Sequence, residues 1–483
     1  MKKIFPLALL IILFACHFPY LTADPDTVTD IHTRGAWTDE GLYSAQIRNY
    51  LIDGHFDLHE NSTFVRGPAF NILQLPFFYL FGNHRLVGRI LVLLITCLVP
   101  LLFLKLKDLE TFTFFVLLVI FWQFHVFHFS HYALAEMLCI DLILIALFFF
   151  LQSQAEKLPF GHRVWFILLA SLSVFLSYSC KVQFIYSAGI LPVTLFILAF
   201  FAGKEREEAF QLFGYSLIFS LILIGVYSIW YVANKDFYQY VMIHEMQGRY
   251  PLRMLDYYHA VQFNFRYFLW VRELKALWIA LPVAALIVLW QRHSRKTEKR
   301  SLALWMFSII WILFELHKLP MSYLPNRYLL PLYVACGLLI AQALSNLYGR
   351  SRSYSLVSLL LGLFFLGLNL PFILNTYHHR TYDLNKLNNY LSQYQYNDQY
   401  GLGSWATAAS WGTDMKSLPV WKDYFNAKDP VKKFKPAVIL TEIDESETDK
   451  AFISNGIDLK AISDSSREFN CWRYKVKVFW IKK

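Results

Sequence analysis

The chain is expected to be a mainly α polytopic bundle of membrane-spanning helices followed by a small α/β domain, and three observations predict this. Hydrophobic residues make up 56% of its 483 positions and charged residues only 17%, too few charges to cover a water-facing surface of that size. Apolar runs of about 20 residues, the length that crosses a hydrocarbon core, recur from the N-terminus to residue 374. Beyond Tyr377 the composition turns polar and strand-like segments appear.

The apolar runs place spans near 4–20, 86–104, 111–128, 133–151, 164–180, 183–202, 210–232, 274–290, 301–316, 328–346 and 354–374, about eleven helices. Mean hydropathy is +0.38, and the 44 Phe, 29 Tyr and 14 Trp suit lipid contacts and interfacial belts. With Lys2 and Lys3 on the cytoplasmic side, alternate loops carry Lys105 and Lys107, Lys157 and Arg163, Lys204 and Arg206, the basic run from Arg292 to Arg300, and Arg350 with Arg352. Each of those loops is basic, as inner loops are. The net charge of +10 is thereby used in orienting the chain, and no nucleic-acid partner is expected.

Met1-Lys2-Lys3, an apolar run and Leu13-Phe14-Ala15-Cys16 resemble a lipoprotein leader. Phe14 is bulky for that role and the apolar run continues to Tyr20, so an uncleaved first helix is expected. The six cysteines have neither disulfide-framework nor metal-ligand spacing. Asn61-Ser62-Thr63 is a glycosylation sequon only in a eukaryotic lumen.

The outer side then receives long loops at 21–85 and 233–273 and the tail. A membrane domain of 1–376 and a soluble extracytoplasmic domain of 377–483 are expected. Residues 40–53 read as an amphipathic helix on the outer interface, and 68–81, interrupted by Pro76, as a re-entrant or interfacial element. In the tail, Ala437–Leu440 and the alternating Tyr474–Trp480 predict strands.

Chemistry concentrates on this outer side. Asp39 and Glu40 are adjacent carboxylates where an outer loop enters a helix. Such a pair is a helix-dipole partner on a soluble surface, but near lipid an ionised group is costly and tends to be functional. One reaction that fits is sugar transfer from a lipid phosphate. A carboxylate takes the proton of the attacking hydroxyl, and cations receive the charge of the departing phosphate. Candidate cations at the outer edge are Arg66, Lys181, Arg249, Arg253, Arg266, Lys318 and Arg327.

Six segments in order then resemble a known family: Thr38-Asp39-Glu40-Gly41-Leu42-Tyr43, Val65-Arg66-Gly67-Pro68-Ala69-Phe70, Gly88-Arg89-Ile90, His131-Tyr132-Ala133-Leu134-Ala135-Glu136-Met137-Leu138, Ser179-Cys180-Lys181 and Asn326-Arg327-Tyr328-Leu329-Leu330-Pro331-Leu332. Together, over about residues 35–340, they resemble the GT-C membrane glycosyltransferases, in the branch of protein O-mannosyltransferases and lipid A aminoarabinose transferases. The resemblance implies an inverting transferase that moves a sugar from a polyprenyl-phosphate donor to a hydroxyl acceptor on protein, lipid A or envelope glycan. It implies Asp39 as catalytic base, Glu40 as its supporting neighbour and Glu136 as a second acid. Arg66 falls in a segment that usually reads Lys-Pro-Pro and lines the site. With Lys181, Lys318 and Arg327 it makes up the expected phosphate-binding set.

The resemblance also implies a loop over the donor site, here with His244-Glu245 as candidate ligands of a divalent metal ion. A bacterial inner membrane is the expected location, with site and C-terminus extracytoplasmic. A transporter or flippase of lipid-linked sugars would instead place charges near the bilayer midplane in repeated halves. An oligosaccharide polymerase or ligase of the O-antigen kind would rely on arginines and a histidine in large outer loops.

Overall fold

The computed structural model describes residues 2–25, 36–58, 60–106, 108–155, 157–244, 253–271, 274–294, 299–322, 324–396, 399–443, 447–471 and 474–482. Its order begins with α1 (Ile4–Leu21), α2 (Ala36–Asp53), α3 (Ser62–Arg66), α4 (Pro68–Phe81) and α5 (Arg85–Phe103). Then come α6 (Glu110–Val116), continued by a π-turn over Leu117–Phe121, α7 (Phe124–Phe129), α8 (Ala135–Ser153) and α9 (Phe160–Cys180). A 3-10 segment, Val182–Gly189, leads into α10 (Ile190–Phe201), followed by α11 (Arg206–Ala233), α12 (Lys235–His244), α13 (Met254–Trp270) and α14 (Lys275–Ser294). The bundle closes with α15 (Lys299–Glu315), α16 (Leu330–Tyr348) and α17 (Arg352–His378).

Every segment read as a span is helical. Nine helical segments among the described residues are long and apolar enough to cross a membrane, against about eleven expected. The difference lies in Glu110–Phe121, an apolar helix shorter than a crossing, and in α14, whose side chains are described only as far as Ile287. The first loosens into the π-turn, and extended backbone at Gln123 separates it from α7.

Side-chain distribution separates the centre of the bundle from its lipid face. In α16 every residue from Leu330 to Leu344 is buried, and α8 is buried along nearly its whole length. With no solvent-facing stripe, these two helices form the core. In contrast, α11 exposes Leu217, Ile218, Leu221, Ile222, Val226 and Ile229, the apolar face a helix turns to hydrocarbon. Among the described residues, Gln154 after α8, Arg163 and Lys299 meet at the end of the bundle opposite the start of α8.

The C-terminal unit holds α18 (Asp383–Leu391), β1 (Tyr400–Leu402), α19 (Ala406–Ala409), β2 (Lys416–Leu418), α20 (Pro430–Phe434), β3 (Val438–Glu442), α21 (Glu447–Ile453), α22 (Leu459–Ile462), β4 (Ser463–Cys471) and β5 (Tyr474–Ile481). Its sheet runs β2-β1-β3-β5-β4, with β1 parallel to β2 and β3, and β5 antiparallel to β3 and β4. Period-2 alternation sends Val438, Leu440, Val476 and Val478 to one core with α18 and α19. Ile439 and Phe479 go to the other, with α21 and Leu459. Both strands expected in the tail are present.

Helix α2 exists as expected but does not lie on a lipid surface. Ser44, Gln46, Arg48 and Asn49 are buried, because α2 is enclosed between α4 and the C-terminal unit's α19 and β2. Its polar face is an internal interface rather than a solvent face. Gly41 makes the approach feasible: a Cβ there would meet the Ala408 Cα at 2.3 Å.

Candidate functional site

The first turn of α2 brings its two carboxylates to different partners. Glu40 turns into the protein, where its oxygens take a bidentate pair of bonds from Arg89 of α5, 2.8 Å from Nε and 2.6 Å from an outer nitrogen. It also accepts the Ala133 N–H at 2.8 Å. The other outer nitrogen of Arg89 donates to the carbonyls of Tyr20, Leu21 and Ala23. Glu40 is 2% exposed and Arg89 0%, and a bidentate, fully bonded pair is the form in which buried charges are tolerated. Glu40 therefore ties α2 to α1, α5 and the segment before α8.

Asp39 points to a second centre. Its carboxylate lies 2.7 Å from an outer nitrogen of Arg327, and the Arg327 Nε lies 3.1 Å from Glu136. Lys181 completes the chain of charges, 2.5 Å from the same Glu136 oxygen and 2.5 Å from the Tyr43 hydroxyl. Four elements supply these groups: the start of α2, the start of α8, the residue that ends α9, and the 3-10 turn Asn326–Leu329 that opens α16. The second oxygen of Glu136 is buried without a hydrogen-bond partner among the described residues.

A third carboxylate joins one step away. Lys318 donates to Glu315 at 2.6 Å and to the Tyr328 carbonyl at 2.9 Å. Glu315 also accepts from the hydroxyl of Tyr186 and from the Trp311 indole. Aromatic faces line the cations: Lys181 sits 5.1 Å from the Tyr328 ring centroid, Arg327 5.2 Å from the same ring, and Lys318 5.1 Å from Tyr186. Three cations thus face three carboxylates at one end of the bundle.

Arg66 is placed beside this cluster rather than in it. It donates to Ser62 within its own short helix, and its carbonyl accepts from Tyr227 of α11. The adjoining Gly67 packs on the end of α9, where a Cβ would lie 2.1 Å from the Cys180 carbonyl oxygen, immediately before Lys181. Only glycine permits that approach, which accounts for Gly at the centre of the Arg66-Gly67-Pro68 segment.

Of the other expected cations, Arg253 and Arg266 are exposed on the chain's surface, and Arg249 lies outside the described residues. Glu245 also lies outside them, as does the side chain of His244, so the expected metal pair has no described geometry. No group of three or more His, Cys, Asp or Glu suited to a metal occurs among the described residues.

Sequence reasoning missed Glu315, Tyr186 and the partner role of Arg89. Two of these carried a readable signal, since Glu315 and Arg89 are single charges inside apolar runs, where an ionised group requires a partner.

Comparison with solved structures identifies the fold. ArnT from Cupriavidus metallidurans bound to undecaprenyl phosphate superposes with a TM-score of 0.63 at 13% identity, over 98% of this chain and 97% of that one. The apo form of the same protein gives 0.60 at 14% identity, over 97% of each chain. The archaeal oligosaccharyltransferase AglB from Archaeoglobus fulgidus, in complex with an inhibitory peptide and a dolichol-phosphate, gives 0.53 at 13% identity, over 93% of this chain and 71% of that one. No family model and no curated protein matches the sequence. The fold of membrane glycosyltransferases of the GT-C type, expected from the ordered segments, is the fold found.

Proposed function

We propose that the chain is an inverting glycosyltransferase that moves a sugar from a polyprenyl-phosphate donor to a hydroxyl acceptor. The observation that carries this reading is the position of Asp39, a carboxylate of the outer-loop helix held 2.7 Å from Arg327 at the head of a buried run of cations. Asp39 is the group there with residual exposure, 15% for its side chain, while the side chains of Glu136 and Glu315 are 1% and 0% exposed. An acceptor hydroxyl can reach Asp39 and lose its proton to it.

The acceptor oxygen then forms a bond to the anomeric carbon as the bond from that carbon to the lipid-phosphate oxygen breaks. A single displacement inverts the configuration. The charge left on the phosphate is received by Lys181, Arg327 and Lys318, preorganised by their carboxylate partners so that little reorganisation is required during the reaction. In this scheme Glu40 positions α2 through Arg89 and does not touch the substrate, while Glu136 holds Lys181 and Arg327 apart from bulk water. Arg66, whose neighbour Gly67 packs against the Cys180 carbonyl next to Lys181, is the fourth phosphate-binding cation of this scheme.

The basic loops of the sequence support an extracytoplasmic placement of this cluster in a bacterial inner membrane. In this reading a membrane domain of 1–376 carries the site, and a soluble extracytoplasmic domain of 377–483 packs against its helix α2. The undecaprenyl phosphate of the ArnT structure and the dolichol-phosphate of the AglB structure are lipid phosphates of the class proposed as donor carrier here.

The test is Asp39→Asn in the full chain, reconstituted in nanodiscs with polyprenyl-phosphate sugar extracts. Transfer to hydroxyl acceptors should fall by about 10²–10⁴-fold, the contribution of a general base, with insertion and thermal unfolding unchanged. Full activity in the variant would remove Asp39 as base. Movement of lipid-linked sugar across a bilayer without a new glycosidic bond would replace the enzyme by a transporter.

A further inference from the structure

A second built site lies at the other end of the bundle. Lys181 closes α9, and Arg163 sits in the first turn of the same helix, about 27 Å away at 1.5 Å per residue. Around Arg163 the ends of α8, α9, α10, α11 and α15 converge on a cavity of about 220 Å³, the liquid volume of roughly seven waters. Its floor is apolar, including Leu195 and Leu212. Its rim carries two cations and two carboxylates: Arg163, Lys299, Glu205 and Glu208.

The rim is electrically balanced yet incompletely bonded. Arg163 donates to Glu208 at 2.8 Å and lies 3.7 Å from Glu205, while Lys299 pairs with Glu205. Arg163 is 8% exposed, and its second outer nitrogen has one long bond, 3.5 Å to the Ala155 carbonyl. Its Nε is buried with no partner among the described residues. A guanidinium carries five donors, and leaving a buried one unused costs free energy unless something fills it. The unused donors call for an acceptor anion. Two carboxylates on the same rim make a bare anion unfavourable and call for a positive group beside it. Lipid-facing helix ends and an apolar floor call for hydrocarbon.

We propose that this cavity binds a zwitterionic aminophospholipid, its phosphate on Arg163 and Lys299 and its ammonium on Glu205 and Glu208. The acyl chains run along the leucines of α10 and α11. Such a headgroup adds no net charge to a rim that has none, whereas an anionic lipid would meet the two carboxylates uncompensated. The site is independent of the transfer reaction and would anchor the far ends of five helices in one leaflet.

The test uses the full chain in nanodiscs of equal phosphatidylethanolamine and phosphatidylglycerol, extracted into mild detergent, with retained lipid counted by native mass spectrometry. Phosphatidylethanolamine should be retained about tenfold over phosphatidylglycerol, the discrimination one charge-assisted hydrogen bond supplies. Glu208→Gln, which removes a carboxylate that faces the ammonium, should bring the ratio to about one. Glu205→Gln, at the more exposed part of the rim, should lower the ratio as well. Equal retention in the unaltered protein, or an unchanged ratio in both variants, would overturn the proposal. Soluble phosphoethanolamine binding as tightly as the lipid would overturn the lipid as occupant.

Discussion

Two buried arginines show how differently the same side chain can be used. Arg327 meets carboxylates on two separate elements, Asp39 and Glu136. Arg48, 0% exposed, meets neutral acceptors of the C-terminal unit: the Thr407 carbonyl at 2.9 Å, the Ser410 hydroxyl at 2.8 Å, the Met415 carbonyl at 3.2 Å and the Ser417 hydroxyl. Burial among neutral groups pushes the Arg48 guanidinium down to about 9, and it remains charged at neutral pH. The carboxylates around Arg327 can yield to phosphate oxygens of similar geometry and charge. Backbone carbonyls around Arg48 cannot be exchanged for anything. In the proposed reaction one arginine exchanges carboxylate for phosphate, while the other ties α2, and with it Asp39, to the sheet domain.

Removing either arginine separates the two roles. Arg327→Met leaves Asp39 without its cation and Glu136 with Lys181 alone, and breaking a buried pair in this way costs about 3–5 kcal/mol. Thermal unfolding in nanodiscs should register that loss, and sugar transfer should fall at least as far as for Asp39→Asn. Stability close to that of the unaltered protein would mean that the cluster carries little of the fold.

Arg48→Met should cost about 2–3 kcal/mol, since buried acceptors lose their donors. Because it acts through the placement of Asp39, it should lower kcat with little change in KM for the donor. A rise in KM alone would break the distinction between the two arginines. Restoration of kcat by Arg48→Lys, which keeps a donor to the same carbonyls, would sharpen it.

The smallest expected effect concerns the same seam. Glu60 lies beside Asn49, which donates to it at 3.0 Å, and beside the Tyr400 hydroxyl at 3.4 Å. Burial raises its carboxyl to about 7 against an ordinary 4.5, with Asp57 and Asp53 adding to the rise and Asn49 and Lys416 opposing it. The folded seam therefore holds a proton that the unfolded chain has released, so stability falls as pH rises. Between pH 5 and pH 7 this amounts to about 2 kcal/mol. Measured unfolding of Glu60→Gln, which cannot titrate, should lack that part of the slope. An identical slope in both proteins would exclude Glu60 as its source.

Some of this architecture was legible in residue order. The apolar runs marked the long helices of the bundle, because hydrocarbon thickness sets a length that composition must meet, while α12 and α13 fall in a stretch read as an outer loop. Alternation marked β3 and β5, because strand side chains repeat every two residues. Glu136, Lys181, Lys318 and Arg327 were each visible as charges at the ends of apolar runs, and Asp39 as a carboxylate where an outer loop enters a helix. Helix α2 was legible as a helix but misread as a lipid-facing one, since an internal polar interface and a wet one leave the same pattern. Of the eleven expected spans nine are long apolar helices among the described residues, and composition alone does not show where a helix such as α6 loosens into a π-turn.

What the sequence by itself determined was a membrane bundle with charges at the ends of its helices, for the reason that burying an apolar stretch and keeping ions near water are local requirements. Which charge meets which was decided only by tertiary packing. Asp39 and Glu40 are neighbours in the chain, yet one joins Arg327 from 288 positions later and the other Arg89. Adjacent residues on a helix point about 100° apart, and no local rule states what stands in each direction.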